Sequence, residues 1–313
     1  MLPIFAQQIY ITALSRSSPS SGPAITFTQL IPDHDHYHGR GGRVFPLSQD
    51  SETHESNLRP ALLAFLAQRY GQPVSDEDVM AYLAAIAANP AFTARFQPDL
   101  VQPGLRIPLT ADPQLFREAV QLGRRVIWLH TYGERFSAPQ EGRPKGPPRL
   151  PKDSAPRIPA KGAISDSPDA MPETITYDLA QQRLSIGDGY VERVPPAVWN
   201  YEVSGKHVLR QWFSYRQKDR ERPVMGDRRP PSKLEEVQAN HWLAEYTTDL
   251  IDLLNVLGLL VELEPQQADL LKRVCAGPLL SITELNEAHA LEHPAARLPE
   301  KKGKGEQSLF AED

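Results

Sequence analysis

The chain has 313 residues, 40% of them hydrophobic and 23% charged, which allows one large domain or two modest ones. A net charge of -5 excludes coating of nucleic acid by bulk charge and leaves only a local basic face for that role. One cysteine excludes an internal disulfide, and 30 prolines, roughly twice the usual share of about 5%, announce many loops.

No apolar run reaches the roughly 18 residues that span a bilayer, so no membrane partner is expected. The opening MLPIFAQQIYITAL has no basic start and is interrupted by Gln7 and Gln8, which argues against a signal peptide and for a cytoplasmic protein. QQIYITAL reads as a strand, SRSSPSSGPA as a turn and AITFTQLI as a second strand. Residues 1–50 are thus read as β segments, with a start that looks abrupt, as though a longer chain were already running.

Asp33 to Arg43, DHDHYHGRGGR, gathers three histidines and three glycines. His34, His36 and His38 alternate as metal ligands on one strand face would, yet loop formers flank them and no cysteine accompanies them. GRGGR lacks the Gly-Lys-Ser/Thr ending of a P-loop and the spacing of a dinucleotide fingerprint. It is either a sharp turn before the strand VFPL or a glycine turn whose amides, with Arg40 and Arg43, hold a phosphate.

Residues 51–136 are helical by periodicity: LRPALLAFLAQRYG, then SDEDVMAYLAAIAANPAF with Ser75 as N-cap and Asp78 three residues on, then DPQLFREAVQLGRRVIWLHTYGERF with Pro113 in its first turn. NPAF, Asn89 to Phe92, is similar to the motif with which amino-methyltransferases hold a flipped base. Here it follows an alanine-rich helical run rather than a strand, so it reads as a helix end. Neither a Phe-x-Gly-x-Gly methyl-donor segment nor a Walker motif is found, and no cofactor is expected.

Residues 137–171 are rich in Pro, Gly, Lys and Arg and read as a flexible linker or inserted loop. In 172–276 the segments TITYDL and RLSIG alternate as a hairpin, GYVERV follows, and LEEVQANHWLAEYTTDLIDLLNVLGLLVELEP carries an apolar face from Leu243 to Leu260 that predicts a helix ending near Pro265. A short helix QQADLLKRVC holds Cys275 on an apolar face, as a structural thiol rather than a nucleophile. Residues 277–313 are read as a polar tail. The whole predicts an α+β fold, a helical part and a small mixed β part joined by the Pro-rich segment.

VWNYEVSGKHVLRQWFSYRQKDRERP, Val198 to Pro223, is the stretch that points to chemistry. Trp199, Tyr201, Trp212, Phe213 and Tyr215 interleave with Lys206, Arg210, Arg216, Lys218, Arg220 and Arg222. Cations meet phosphates, aromatic rings stack on bases, and Asn200 is able to read an adenine edge. The competing reading places Trp212 and Tyr215 on one turn of a core helix with solvated arginines behind. A second basic run, Arg143 to Lys161, favours a nucleic-acid face.

At these residues the chain resembles a known family. VWNYEVSGKHVLRQWFSYRQKDR and DLIDLLNVLGLLVELEPQQADLL, together with GRGGRVFPL, NPAFTARF and PGLRIPLTADPQLFREAVQLGRRVIWLHTYGERF, are similar to the C-terminal specificity domain of type ISP restriction-modification enzymes, over roughly Gln7 to Ala276. Such enzymes carry a nuclease, an ATP-driven translocase, an adenine methyltransferase and a target recognition domain in one polypeptide. The resemblance implies a recognition module that binds double-stranded DNA, without catalytic motifs, working with a methyltransferase and translocase encoded elsewhere. It also turns Asp33 to Arg43 into a joining turn after a missing methyltransferase, touching DNA phosphate through Arg40 and Arg43. The side chains expected at DNA are then Arg40, Arg43, Trp199, Asn200, Tyr201, Lys206, Arg210, Trp212, Tyr215, Arg216, Lys218 and Arg220. Two alternatives remain: a fragment of the methyltransferase itself, and a protein-interaction remnant that docks through the Leu243 to Leu260 helix.

Overall fold

The computed structural model of the chain describes residues 8–14, 19–32, 42–49, 55–101, 104–218 and 239–291. Among them it is an α+β protein with three small antiparallel sheets and eight α-helices. The two N-terminal strand segments and the one after the glycine turn pair with one another. β1 (Tyr10–Leu14) lies between β2 (Ile25–Thr28) and β3 (Gly42–Pro46). The register sets Ile11 opposite both Phe27 and Phe45, so these apolar side chains share one face. That face and the helix α2 (Asp76–Ala87) border a cavity of about 750 Å³, lined by Ile11, Phe45, Met80, Leu83 and Ile107, with Arg43 also on its wall.

The helices start where the sequence places their caps. α1 (Pro60–Tyr70) opens on proline and stops at Gly71, whose φ of 67° is left-handed. α2 carries the reciprocal Ser75–Asp78 capping box, and α4 (Pro113–His130) is capped by Asp112, which accepts from the N–H groups of Gln114 and Leu115. One helix expected from Ser75 to Phe92 is instead two, because Asn89 is extended at φ -149°, as a residue before proline prefers. α3 (Pro90–Phe96) starts there. The buried Asn89 side chain serves both helices, donating to the Ile86 carbonyl and accepting from Phe92 N–H.

α2 and α4 cross where Gly123 meets the Ala81 carbonyl so closely that a Cβ on Gly123 would lie 1.7 Å from the oxygen. Around the crossing Tyr70 and Tyr82 stack against Phe116. Both phenols are tied to one loop: Tyr82 donates to the Pro108 carbonyl and accepts from Thr110 N–H, while Tyr70 donates to the Thr110 carbonyl. β2 is fastened to the same helical layer, since Phe27 N–H donates to His130 Nδ1 at 3.1 Å.

Residues 137–171 do not behave as a linker between separate parts. Trp128 Nε1 donates to the Pro144 carbonyl, Leu150 N–H donates to the buried Asn255 side chain, and Arg143, only 5% exposed, holds the Phe136 carbonyl and pairs with Glu141. A chain already restricted by proline loses little conformational entropy on being ordered. Buried Leu150 lies against Gly258 of the long helix, and one hydrophobic core runs through both the helical and the β part.

That long helix, α7 (Ala244–Ala276), passes straight through Pro265, where the sequence suggests an end followed by a second short helix. A proline inside a helix costs about 3 kcal/mol. Buried Leu260 and Leu263 before it and Leu270, Leu271 and Val274 after it outweigh that cost by packing. Residues 234–238 of the expected helix lie outside the described residues. The buried Gln267 amide reaches the carbonyls of Ala84, Ala85 and Ala88 at the end of α2, each at 3.3 Å. Cys275 on the same helix is half-buried, and burial raises its thiol pKa, the opposite of what a nucleophile needs.

The expected polar tail begins with structure. Leu280 N–H donates to the Leu109 carbonyl, Ala111 N–H donates to that of Pro278, and a capping box of Ser281 and Glu284 starts α8 (Ile282–Glu287). The second sheet follows the sequence: β4 (Ile175–Asp178), β5 (Arg183–Ile186) and β6 (Gly189–Val191) pair in that order. No helix among the described residues is long and apolar enough to cross a membrane.

Candidate nucleic-acid interface

The residues singled out between Trp199 and Lys218 form a short relay of turn, hairpin and helix. α5 (Pro196–Trp199) is a single turn opened by proline, and Asn200 closes it with its N–H on the Pro196 carbonyl. β7 (Glu202–Val203) and β8 (Lys206–His207) form a hairpin whose two turn residues, Ser204 and Gly205, have φ of 52° and 84°. A two-residue turn with both φ positive matches the twist of the paired strands. The hairpin is pressed onto the loop before β2: Ser204 N–H donates to the Pro23 carbonyl and Gly205 N–H to that of Ser21. Gly22 in that loop tolerates no side chain, since a Cβ there would lie 2.1 Å from the Glu202 carbonyl oxygen.

His207 ends the hairpin and caps α6 (Val208–Ser214), its Nδ1 accepting from Arg210 N–H at 3.3 Å. Burial first, and then the Arg210 charge, lower its pKa, which keeps the imidazole neutral and able to accept. α6 buries Leu209 and Phe213, four residues apart, with Phe213 set against the buried Trp242. The other side of the relay carries the exposed groups.

The structure divides the expected site residues by exposure. Trp199 and Tyr201 are 7% and 6% exposed and belong to the core, so their rings are not presented for stacking on bases. Trp199 stacks with Tyr177 of β4, meets His207 edge-on, and carries the Arg210 guanidinium 5.2 Å from its ring centre. Trp212 is half-buried against Trp242. Arg216 is half-buried and engaged within the molecule: its guanidinium lies over the Trp212 and Tyr246 rings, donates to the Trp212 carbonyl and pairs with Asp249 at 3.6 Å. Lys218 is half-buried and pairs with Glu173 at 3.1 Å.

Asn200, Arg210 and Tyr215, the last 60% exposed, face solvent, and Lys206 is half-exposed on the hairpin. Arg43 is exposed too, but on the edge strand β3, with β1 and β2 between it and the loop that carries the hairpin. Arg40, Arg220 and the three histidines from His34 to His38 lie outside the described residues. Among the described residues no group of histidine, cysteine, aspartate and glutamate side chains is arranged to hold a metal ion.

The sequence reading found the basic run from Arg143 to Lys161 but not Arg183 and Arg193, the cations that join it beside this relay. Arg183 and Arg193 come close to the loop from Lys152 to Arg157 only through a β-bridge between Arg157 and Glu192, residues 35 apart in sequence. No local pattern signals such a pairing. Nor did it find Tyr177 as the ring beneath Trp199, which strand alternation alone places on one of two faces.

The family model for the type ISP C-terminal specificity domain matches residues 3–253, and the chain belongs to that family. Among solved structures it is similar to a chain of the DrdV-DNA complex, at 19% identity and a TM-score of 0.54, covering 87% of this chain and 25% of that one. It is also similar to the ATP-dependent type ISP restriction-modification enzyme LlaBIII bound to DNA, at 13% identity and a TM-score of 0.53, covering 85% of this chain and 16% of that one. The chain therefore spans a quarter or less of the length of these proteins, with which it shares the fold. None of the curated proteins compared matches it.

Proposed function

We propose that this specificity domain recognises a double-stranded DNA target for a restriction-modification system, and that it is a recognition module without catalysis of its own. The observation that carries the reading is the match of the specificity-domain family over residues 3–253, four-fifths of the chain. Two structurally similar proteins are described as DNA complexes, which supports the same reading. Methylation, translocation and cleavage belong to modules beyond this chain, carried by a separately encoded polypeptide or by a longer one.

The surface we assign to DNA is the exposed side of the α5 to α6 relay. Lys206 and Arg210 supply phosphate contacts and their salt-dependent affinity. Asn200 and Tyr215 supply contacts to bases, the amide through a paired donor and acceptor and the ring as a wedge against a base step. Trp199, Tyr201 and Arg216 hold these groups in place from below. Arg43 contributes a separate phosphate contact on the β3 side.

Fluorescence anisotropy with duplex DNA tests this. Lys206→Gln combined with Arg210→Gln is expected to weaken binding to all sequences and to reduce the slope of log affinity against log salt by about 2. Asn200→Ala is expected to relax preference at one base pair, by about 1–3 kcal/mol, with the salt slope unchanged. Unchanged binding by all of these variants would overturn the assignment of the surface.

A further inference from the structure

The loop formed by residues 137–171 and the end of β6 build a second basic surface. Arg157 N–H donates to the Glu192 carbonyl at 3.2 Å and Glu192 N–H donates back to the Arg157 carbonyl at 2.9 Å. Next to this bridge the Arg193 guanidinium donates to the Lys152 carbonyl at 2.9 Å. Arg183 of β5 lies over the Tyr190 ring, 4.1 Å from its centre. Lys161 sits beside Gly162, whose missing side chain lets the loop close on Tyr190.

Five cations from three chain segments thus lie on the loop and on the strands it joins, and two of them, Arg157 and Arg183, reach the Glu192 carboxylate. Glu192 pairs with Arg157 at 3.0 Å and reaches Arg183 at 3.9 Å, and Asp153, the acid between Lys152 and Lys161, is exposed. Lys152, Arg157 and Lys161 are exposed. Arg193 has φ of 62°, a left-handed conformation that costs a residue with a side chain of order 1 kcal/mol or more. A chain with net charge -5 has no reason of solubility to concentrate cations here.

The surface also adjoins the relay described above. Val194, next to Arg193, accepts from the Tyr177 hydroxyl at 2.7 Å, Tyr177 stacks with Trp199, and Trp199 carries Arg210. A continuous line of contacts therefore joins the two groups of cations across the β4 to β6 sheet.

We infer that Lys152, Arg157, Lys161 and Arg193 form a ridge that tracks the phosphate backbone of duplex DNA beside the recognised sequence. The inference rests on the recognition reading and adds to it a surface that reads no bases. Such contacts release counterions and strengthen binding equally at every sequence. Arg183 acts here as a positioning residue, holding Glu192 and Tyr190 beneath the exposed side chains.

The test uses the full chain, duplex DNA and a salt titration. Replacing Lys152, Arg157 and Lys161 together by glutamine is expected to weaken binding at least about tenfold at moderate salt and to reduce the salt slope by about 2–3. The sequence selected from a random duplex pool is expected to stay the same. The charge-keeping variant with Lys152→Arg, Arg157→Lys and Lys161→Arg is expected to restore affinity and slope, which separates charge from loop folding. Normal affinity and slope in the glutamine variant would overturn the ridge while leaving the recognition reading intact, as would a changed sequence preference. Failure of the unaltered chain to bind DNA would overturn both.

Discussion

The guanidinium of Arg216 lies 4.3 Å from the centre of the Trp212 ring and donates to the Trp212 carbonyl at 3.0 Å. With Tyr246 5.3 Å away and Asp249 paired to it, this arginine joins α6 to the start of α7. Arg216→Ala is therefore expected to lower stability by about 2 kcal/mol, from the lost ring contacts and a charged hydrogen bond. Its salt slope for DNA binding is expected to match that of the unaltered chain. Urea unfolding and a salt titration on the same variant check both parts.

Arg210 is expected to behave in the opposite way. It is exposed and its guanidinium lies over the Trp199 ring, a surface cation–π pair worth about 0.5–1 kcal/mol. Arg210→Ala should change stability by no more than that and reduce the salt slope by about 1. Trp199→Ala, by contrast, removes a buried ring that stacks with Tyr177 and should cost about 3–5 kcal/mol. Thermal melts of the two variants distinguish the supporting ring from the presented cation.

Gly123 gives a stability change of unexpected sign. In an exposed helix interior glycine to alanine gains about 1 kcal/mol. Here the new Cβ would meet the Ala81 carbonyl at 1.7 Å, so α2 and α4 must separate. Gly123→Ala is expected to destabilise the protein by about 2 kcal/mol or more, read from its urea midpoint.

These outcomes follow from features that differ in how far the sequence shows them. The Ser75–Asp78 capping box, the proline opening of α4 and the β4–β5 hairpin are local, set within a few residues, and the sequence predicts them. The passage of α7 through Pro265 and the packing of Leu150 on Gly258 are decided by partners far along the chain, where packing overrides local preference. The aromatic and basic residues of the relay are legible as a mixture. Which of them face solvent is not, because Trp199 and Arg210 differ only in the direction in which α5 and α6 turn them.

Acid should loosen the joint between β2 and α4. Burial pulls the His130 pKa down from 6.5 to about 4, and its neutral Nδ1 accepts from Phe27 N–H. The unfolded chain takes up this proton at higher pH than the folded one. The contribution is therefore full above about pH 6.5 and is lost as pH falls toward 4, by at most about 3 kcal/mol at about 1.4 kcal/mol per unit. His130→Gln, whose amide oxygen is able to accept the same bond, should show a shallower loss of stability between pH 7 and 5 in urea unfolding.

Binding of the purified chain to a pool of random duplex DNA at two salt concentrations, with sequencing of the bound fraction, tests target recognition most directly. An enriched short sequence, bound much more weakly at the higher salt, is the expected result. Absence of binding, or binding that enriches no sequence, would contradict it.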